Sequence, residues 1–233
     1  MIKGKSVTAV IVAAGNSVRF GQNCNKNFVH INEKPIVLYS LEAFNEHEQI
    51  DEIFLVVKKE ELEIAKEVIE KIQPKKEIRL IIGGKTRKES VYNGINESNA
   101  EIVIIHDAAR PMIQQNYITR SLQEMEEIKG TSIAVKSKDT IKITDQNGIV
   151  IETTNRACTW LIQTPQCFHR KILLAAHEKY KEENSITDDC MLLEKEKQPI
   201  KLIEGDYSNI KITTYDDLAL IDSYMDSFEK ENL

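Results

Sequence analysis

Residues 13–28, AAGNSVRFGQNCNKNF, combine small residues with two cations, Arg19 and Lys26. Small side chains let backbone N–H groups approach a ligand, so such a loop can bind phosphate oxygens or the edge of a base. Arginine suits two-point contact with phosphate, and lysine acts as a point charge. The stretch matches neither the G-x-x-x-x-G-K-[ST] pattern of P-loops nor G-x-G-x-x-G. Taken alone, it is either an anion-binding loop or a solvated turn.

Two further stretches carry residues of the same kind. GGKTRKES, residues 83–90, places two glycines before a predicted helix, with Arg87 and Ser90 on or near its first turn. Free N–H groups there favour anions, although paired glycines are also common in ordinary turns. HDAARP, residues 106–111, places Asp107 after an apolar run, where a carboxylate serves a metal, a ribose hydroxyl or a turn. His106 suits a structural role as well as a functional one.

Two features nearer the C-terminus have alternative interpretations. Thr187-Asp188-Asp189 is either a helix cap, the better interpretation for Thr187 alone, or a carboxylate pair that helps to hold magnesium. Lys211 lies within the apolar alternation NIKIT, so its side chain either extends to solvent at an edge or points into a site. The local pattern favours the first.

The elements that must position these residues alternate between strands and helices. Strands are predicted at Val7–Val12, Ile53–Val57, Ile78–Ile82, Ile102–His106 and Ser132–Val135, and helices at Pro35–Asn45, Glu60–Ile72 and Arg87–Asn96. Short apolar strands between helices predict a doubly wound, mostly parallel α/β sheet. Ligands of such sheets bind beyond the carboxyl ends of the strands. The first loop, GGKTRKES and HDAARP all follow predicted strands, so they should meet at one edge.

The second half of the chain departs from this alternation. Residues 136–156 contain two short strands joined at Asp145–Gly148, which predicts a hairpin. It has few large apolar residues, so it is either an arm that reaches onto another subunit or a surface hairpin. Further elements are a strand at Thr159–Thr164, a helix at Lys171–Glu183, a polar turn at 183–190, strands at Ile200–Glu204 and Asn209–Thr213, and a helix at Asp216–Lys230.

Composition narrows the class of protein. The chain has 233 residues and a net charge of −6, which argues against general nucleic-acid binding. No apolar run is long enough to span a bilayer, so we expect a cytoplasmic protein without a membrane partner. The four cysteines, Cys24, Cys158, Cys167 and Cys190, lack the spacing of a metal site and are expected to be reduced thiols.

The motifs together resemble one family. AAGNSVRFG, GGKTRKESVYNGI, HDAARP, the DTIK–NR–QTPQ series, TDD and NIKITT occur in order, from about Val7 to about Asp217. The chain resembles the 2-C-methyl-D-erythritol 4-phosphate cytidylyltransferases of the non-mevalonate isoprenoid pathway. The resemblance implies a single nucleotidyltransferase (Rossmann-like) domain over residues 1–233, whose arm at 136–156 builds a homodimer. It also implies a Mg²⁺-dependent transfer that joins CTP to the alcohol phosphate and releases pyrophosphate.

The resemblance also implies roles for individual residues. Arg19, Lys26 and Lys211 would be catalytic residues around the CTP phosphates, with Lys26 and Lys211 at the α-phosphate and Arg19 at the β/γ end. Asp107 would lie by the ribose and the metal. The other CTP-binding residues would be Ala13, Ala14, Gly15, Gly84 and Ser90, and the substrate-binding residues Arg110, Thr187, Asp188 and, in the partner's site, Thr140 and Arg156.

Departures from the family pattern leave alternatives. Ser17 replaces a frequent second glycine, and Asn25 and Asn27 flank Lys26 where proline and glutamine are common, so we expect a less preorganised loop. A ribitol 5-phosphate cytidylyltransferase shares the sheet and several motifs, but Ala13-Ala14-Gly15, Ala109 and the full TDD favour methylerythritol phosphate. An inactive nucleotide-binding protein is disfavoured by the retained cations, and a nicotinamide-dependent dehydrogenase by the missing glycine fingerprint.

Overall fold

The computed structural model describes residues 4–15, 20 and 25–231. Its strands are β1 (Val7–Val12), β2 (His30–Ile31), β3 (Lys34–Pro35), β4 (Glu52–Val57), β5 (Glu77–Ile82), β6 (Ile102–Asp107), β7 (Gly130–Lys136), β8 (Lys142–Thr144), β9 (Val150–Thr153), β10 (Trp160–His169) and β11 (Ile200–Glu204). Its α-helices are α1 (Ile36–Glu46), α2 (Leu62–Glu70), α3 (Arg87–Glu97), α4 (Gln115–Gln123), α5 (Arg170–Lys179), α6 (Asp189–Lys195) and α7 (Tyr215–Glu231). Short 3-10 turns lie at Lys26–Phe28, Lys59–Glu61, Glu124–Glu126 and Arg156–Cys158.

Seven of these strands form the central sheet, in the order β11-β7-β10-β6-β1-β4-β5. Strand β1 pairs in parallel with β4 and β6, β4 pairs in parallel with β5, and β7 with β11. Strand β10 runs antiparallel to both of its neighbours, β6 and β7. The predicted doubly wound, mostly parallel α/β fold is therefore confirmed.

Helices cover both faces of the sheet, and alternate residues of β1 pack against the helices on each face. Val7, Ala9 and Ile11 belong to a buried cluster with apolar side chains of α1, α2 and α4. Val10 and Val12 belong to a second cluster, on the opposite face, with side chains of α3, α5 and α6. Successive strand residues face opposite sides, so a strand buried on both faces has a continuous apolar sequence.

Helix α3 approaches this sheet closely because it carries Gly94. A Cβ atom at Gly94 would lie 2.5 Å from Val10 Cγ1 and 3.2 Å from Val56 Cγ2. No side chain fits in that space unless the helix moves away. Gly94 therefore sets the distance of α3 from β1 and β4, and with it the position of the α3 N-terminus.

Most predicted elements are confirmed, with small shifts at their ends. Helices α4 and α6 are not among the predictions, and the strand expected at Thr159–Thr164 continues to His169 as β10. Two of the four buried residues of α4, Tyr117 and Ser121, carry hydroxyl groups, so the helix has few purely apolar residues to indicate it. Helix α6 has only seven residues, and Asp188 rather than Thr187 caps it by accepting from Met191 N at 3.0 Å.

The prediction of a closing strand at Asn209–Thr213 is wrong. This segment has no strand pairing, although its apolar alternation is real. Ile212 is buried in a cluster with Phe20 and Ile36, and its N–H donates to the Ala109 carbonyl at 2.9 Å. The backbone thus pairs with the loop after β6 instead of with a strand edge. The Lys211 side chain points away from this buried cluster, towards Asp107 at the end of β6.

Strands β8 and β9 form the predicted hairpin, which pairs with no other strand of the described part of the chain. Asp145 Oδ1 accepts from the N–H groups of Asn147 and Ile149, both at 2.9 Å, and Gly148 has a positive φ of 81°. Large apolar side chains are exposed on the hairpin and at the start of β10: Ile143, Ile149, Val150, Ile151, Leu161 and Ile162.

Two expectations from composition concern the described residues only. Within them, no helix has the length and apolar content needed to cross a bilayer. Cys158, Cys167 and Cys190 are free thiols, while Cys24 lies outside the described residues.

Candidate active site

Two adjoining cavities lie at the carboxyl ends of the parallel strands. The first, here called the loop cavity, has a volume of about 360 Å³ and is lined by Val12, Ala14, Gly15, Lys26, Asn27, Lys85, Thr86, Arg87, Ser90, Asp107, Ala109, Lys211 and Thr213. The second, here called the β10 cavity, has a volume of about 500 Å³ and is lined by Arg87, Asp107, Arg110, Ile162, Gln163, Thr164, Gln166, Thr187, Asp188, Met191, Glu194 and Lys211. Three charged residues, Arg87, Asp107 and Lys211, line both cavities and mark their junction.

Asp107 is the centre of that junction. Its Oδ2 accepts from Lys211 Nζ at 2.6 Å, and its Oδ1 accepts from Arg87 Nε at 3.0 Å. Burial alone would raise the pKa of Asp107, but the charges of Arg87, Lys211 and Arg110 outweigh it and hold the pKa well below its ordinary value. Asp107 is therefore ionised and holds two cations in place.

His106 and Thr164 fix the backbone on either side of Asp107. The His106 Nε2 atom lies 3.1 Å from the Arg110 carbonyl, which can only accept, so Nε2 carries the proton. Nδ1 must then accept from the Thr164 hydroxyl at 3.1 Å, and that hydroxyl in turn accepts from Asp107 N at 3.1 Å. Burial lowers the pKa of His106 to about 3, so the ring is neutral. Its role is structural.

Segment 209–213 joins the first loop to HDAARP. Lys26 Nζ donates to the Ile212 carbonyl at 2.5 Å, and Arg110 Nη1 donates to the Asn209 carbonyl at 2.7 Å. Asn209 Nδ2 also donates to the Thr164 carbonyl at 2.9 Å. These contacts bring Lys26 and Lys211 to one side of the junction, although 185 residues separate them along the chain.

The asparagines beside Lys26 close the first loop at its base. Asn25 Nδ2 and Asn27 Nδ2 both donate to the Ala13 carbonyl, at 2.7 and 2.8 Å. Asn25 Oδ1 accepts from Asn27 N at 3.0 Å and caps the 3-10 turn that carries Lys26. The expected loss of preorganisation is thus offset at this end, because the two amides tie the turn to the end of β1.

The N-terminus of α3 forms the opposite wall of the loop cavity. Thr86 caps the helix by accepting from Glu89 N at 3.1 Å, and Ser90 Oγ donates to the Thr86 carbonyl at 2.9 Å. A Cβ atom at Gly83 would lie 2.5 Å from Ala14 Cβ, so glycine is required there for β5 to end beside the first loop. The start of α3 thereby lines the cavity through Thr86, Arg87 and Ser90.

The structure brings most of the predicted site residues together. Ala14, Gly15, Lys26 and Ser90 line the loop cavity, Arg110, Thr187 and Asp188 line the β10 cavity, and Asp107 and Lys211 line both. Lys211 thus points into the site instead of extending to solvent at a strand edge. Ala13 and Gly84 line neither cavity and contribute backbone contacts behind the loop cavity.

Two other predicted residues lie elsewhere. Thr140 and Arg156 are exposed beside the base of the hairpin, where Arg156 Nη1 donates weakly to the Lys138 carbonyl at 3.5 Å. Neither lines the loop cavity or the β10 cavity. Arg19, like Ser17, lies outside the described residues.

Sequence reasoning gave no site role to several residues that line the cavities. Arg87 is the main one: its position on the first turn of α3, after two glycines, was the available signal. Thr164 and Gln166 belong to the QTPQ motif in β10, whose register shifts between Ile162 and Gln166, but the motif alone gave neither residue a role. Asn27 lines the loop cavity and was noted only as a departure from a motif.

The donor set allows one carboxylate contact to a metal at the junction. Within the described residues, no group of three His, Cys, Asp or Glu side chains is arranged to hold a metal ion. Magnesium is commonly held by one or two carboxylates together with substrate phosphates, so Asp107 alone fits that pattern. Both oxygens of Asp107 contact cations, so a metal bound there would share this carboxylate with Lys211 and Arg87.

The arrangement is suited to two anions held side by side. Five cations among the described residues line the two cavities: Lys26, Lys85, Arg87, Arg110 and Lys211. No histidine or cysteine is among the described residues that line them, so this described lining offers neither an imidazole base nor a thiol nucleophile. Such a site supports a transfer between two phosphate-bearing molecules by positioning and charge stabilisation.

Comparisons with known proteins agree with this chemistry. A family model described as 2-C-methyl-D-erythritol 4-phosphate cytidylyltransferase matches residues 7–227. A protein of that name from Clostridium botulinum (strain 657 / Type Ba4) is 42% identical over 216 residues, which cover 91% of this chain and 94% of the relative. One from Caldanaerobacter subterraneus subsp. tengcongensis is 42% identical over 224 residues, which cover 94% and 99%. The crystal structure of 4-diphosphocytidyl-2C-methyl-D-erythritol synthase from Anaerococcus prevotii DSM 20548 superposes with a TM-score of 0.87 at 33% identity, covering 97% and 98% of the two chains.

Proposed function

The chain belongs to the 2-C-methyl-D-erythritol 4-phosphate cytidylyltransferase family, and on this premise we propose that its loop cavity binds CTP and its β10 cavity binds methylerythritol phosphate. The enzyme is a nucleotidyltransferase of isoprenoid biosynthesis that joins these two substrates. The single observation that supports the division is the shared junction, where Arg87, Asp107 and Lys211 line both cavities. Two substrates bound in adjoining cavities would place their reacting phosphates there.

The proposed reaction needs no covalent enzyme intermediate. A phosphate oxygen of methylerythritol phosphate attacks the α-phosphorus of CTP, and the bond from that phosphorus to pyrophosphate breaks in line. Negative charge grows on the oxygens around the α-phosphorus, where Lys26 and Lys211 would stabilise it. Arg19 would hold the β/γ end, and the Ala14–Gly15 backbone and Ser90 would contact the nucleoside.

Pyrophosphate release tests the assignment directly. The purified enzyme is incubated with CTP or another nucleoside triphosphate and with methylerythritol phosphate, ribitol 5-phosphate or neither. We expect rapid release only with CTP and methylerythritol phosphate. Faster release with ribitol 5-phosphate would overturn the choice of substrate, while release without an alcohol phosphate would indicate a hydrolase.

Magnesium would act together with the CTP phosphates. When bound, Mg²⁺ neutralises phosphate charge, and Asp107 is the residue proposed to contact it. Chelation by EDTA should abolish turnover, and added Mg²⁺ should restore it. In an Asp107→Asn variant, half-maximal activity should need more Mg²⁺ than in the wild type; an unchanged requirement would contradict this role.

We also propose that residues 1–233 form one domain and that the hairpin at 136–156 joins two chains into a homodimer. Exposed Ile149, Val150 and Ile151 give the hairpin an apolar surface suited to a partner. Thr140 and Arg156, which line neither cavity of their own chain, would then contact methylerythritol phosphate in the partner's site. The enzyme would act in the cytoplasm, where CTP is available, and cell fractionation tests that location.

Subunit mixing tests the shared site. Lys211→Met removes a residue of the chain's own site, and Arg156→Met removes one proposed to serve the partner's site. A heterodimer of the two variants contains one intact site and one doubly defective site. An equal mixture that exchanges subunits should regain about a quarter of wild-type activity. No recovery after confirmed exchange, or a monomer in sedimentation analysis, would exclude a shared site.

A further inference from the structure

Two buried residues behind the junction contact neither proposed substrate cavity. Asp189 is the first residue of α6, and His177 lies on α5; their side chains are 2% and 1% exposed. Asp189 Oδ2 accepts from Arg87 Nη1 at 2.7 Å. Asp189 Oδ1 lies 3.3 Å from His177 Nε2, an ion-pair distance without the alignment of a good hydrogen bond. The Asp189 side chain therefore reaches the junction by way of Arg87, and His177 reaches it by way of Asp189.

Arg87 connects these residues to the reaction site. Its Nη1 atom contacts Asp189 and its Nε atom contacts Asp107, whose other oxygen holds Lys211. Charges thus alternate along one connected row: Asp189, Arg87, Asp107, Lys211. A guanidinium is planar and rigid, so fixing one of its edges on Asp189 also fixes the direction of the other.

The charge balance indicates that Arg87 is a support, not a phosphate ligand. Burial would raise the pKa of Asp189, but the charge of Arg87 outweighs it and lowers that pKa. Burial would likewise lower the pKa of Arg87, and the two carboxylates raise it instead. With two ionised carboxylates against it, Arg87 has little net charge left for a substrate anion.

The backbone that follows α5 and leads to Asp189 is also fastened to α3. Lys88, the residue after Arg87, donates through Nζ to the carbonyls of Tyr180, Lys181 and Glu183, at 2.9, 2.7 and 2.6 Å. These carbonyls end α5 and begin the segment that leads to α6. The first turn of α3 therefore holds both sides of the α5–α6 connection, which fixes the distance between Arg87 and Asp189.

From these contacts we infer that Asp189 and His177 are positioning residues for cytidylyl transfer, which orient Arg87 so that Asp107 and Lys211 stand at the junction of the two cavities. The inference rests on the proposed function of those cavities. Misplacement of a reacting group by about 1 Å can reduce a rate by about 100-fold. Loss of a buried positioning residue should therefore produce a measurable fall in kcat.

The test compares Asp189→Asn, Arg87→Met and the double variant. Asp189→Asn should lower kcat by about 10- to 100-fold, while the KM for CTP changes by less than about threefold, because Asp189 contacts neither substrate. Rates are divided by the number of sites that bind CTP, so that unfolded protein does not count. In the Arg87→Met background, Asp189→Asn should have almost no further effect on kcat, since its action passes through Arg87.

Two further variants make the result decisive. His177→Gln leaves both charges of the Arg87–Asp189 pair in place and should reduce kcat by about threefold without changing the KM for CTP. It decides the question if Asp189→Asn does not fold. Lys66→Met removes an exposed ion pair with Glu63 on α2, lines neither cavity, and should retain wild-type kcat.

Three outcomes would overturn the inference: wild-type kcat per CTP-binding site in Asp189→Asn, effects of Asp189→Asn and Arg87→Met that simply multiply, or wild-type kinetics for His177→Gln where Asp189→Asn does not fold. Failure of the wild-type enzyme to release pyrophosphate from CTP with methylerythritol phosphate is a different result. That would refute the proposed function itself.

Discussion

Replacing Lys211 by methionine should nearly abolish turnover while leaving the fold intact. Methionine keeps much of the side-chain volume and removes the ammonium group that lies 2.6 Å from Asp107 Oδ2. Loss of one preorganised donor to transition-state charge typically costs about 100- to 1,000-fold in kcat, or about 2.7–4 kcal/mol. Asp107 keeps Arg87 at 3.0 Å and so remains ionised. Because the Lys211 side chain is 35% exposed, the loss of stability should be only about 1 kcal/mol, a Tm shift of about 2–4 °C.

The assay is pyrophosphate release at saturating CTP and methylerythritol phosphate, with thermal unfolding measured on the same samples. Lys201→Met is the matched control, because it removes a surface lysine that lies 2.7 Å from Glu124 and lines neither cavity. It should retain wild-type kcat. A Lys211→Met enzyme with more than about one-third of wild-type kcat would refute the assignment of transition-state stabilisation to this cation.

Three further predictions concern the packing around the site. Thr164→Val should lower kcat by about tenfold and Thr164→Ser by much less, because only a hydroxyl can accept from Asp107 N and donate to His106; steady-state kinetics of both variants checks this. Because burial lowers the pKa of His106 to about 3, the unfolded chain, with its ordinary value of 6.5, binds a proton below pH 6.5 that the folded chain does not. The free energy of unfolding should therefore fall by about 2 kcal/mol between about pH 8 and pH 5 from this residue, and urea titrations should show a smaller fall in His106→Gln. Gly94→Ala should destabilise the fold by about 1–3 kcal/mol, since its methyl group would lie 2.5 Å from Val10 Cγ1; an unchanged urea midpoint would contradict this close packing.

The elements that sequence reasoning found are those whose burial leaves a periodic pattern. Strand β1 is largely apolar because both its faces are covered, so its first and last residues could be predicted from the sequence. The same reasoning failed at Asn209–Thr213, because an irregular segment with Ile212 buried beneath it shows the alternation of a strand. Periodicity reports which side chains are buried; it does not report what the backbone pairs with.

The site was predictable to the extent that its residues lie on strand ends in one sheet. The first loop, GGKTRKES and HDAARP meet as expected, because parallel strands share a carboxyl edge. Arg87 and Thr164 were harder to assign. The role of Arg87 depends on Asp107 and Asp189, both distant in sequence, and that of Thr164 depends on an irregular strand pairing. Such roles arise only from tertiary contacts.

The buried hydrogen-bond chain through His106 has a consequence for the pH dependence of the rate. Arg87, His106 and Asp107 each keep one protonation state between about pH 5 and pH 9, because their pKa values are shifted away from that range. Their hydrogens also have fixed directions, from Asp107 N to Thr164, from Thr164 to His106, and from His106 to the Arg110 carbonyl. The charges and hydrogen-bond directions of these groups therefore stay the same across this pH range. Any acid limb in the rate profile near pH 6 should then report the second ionisation of the substrate phosphate, the form that attacks, and not the titration of these three residues.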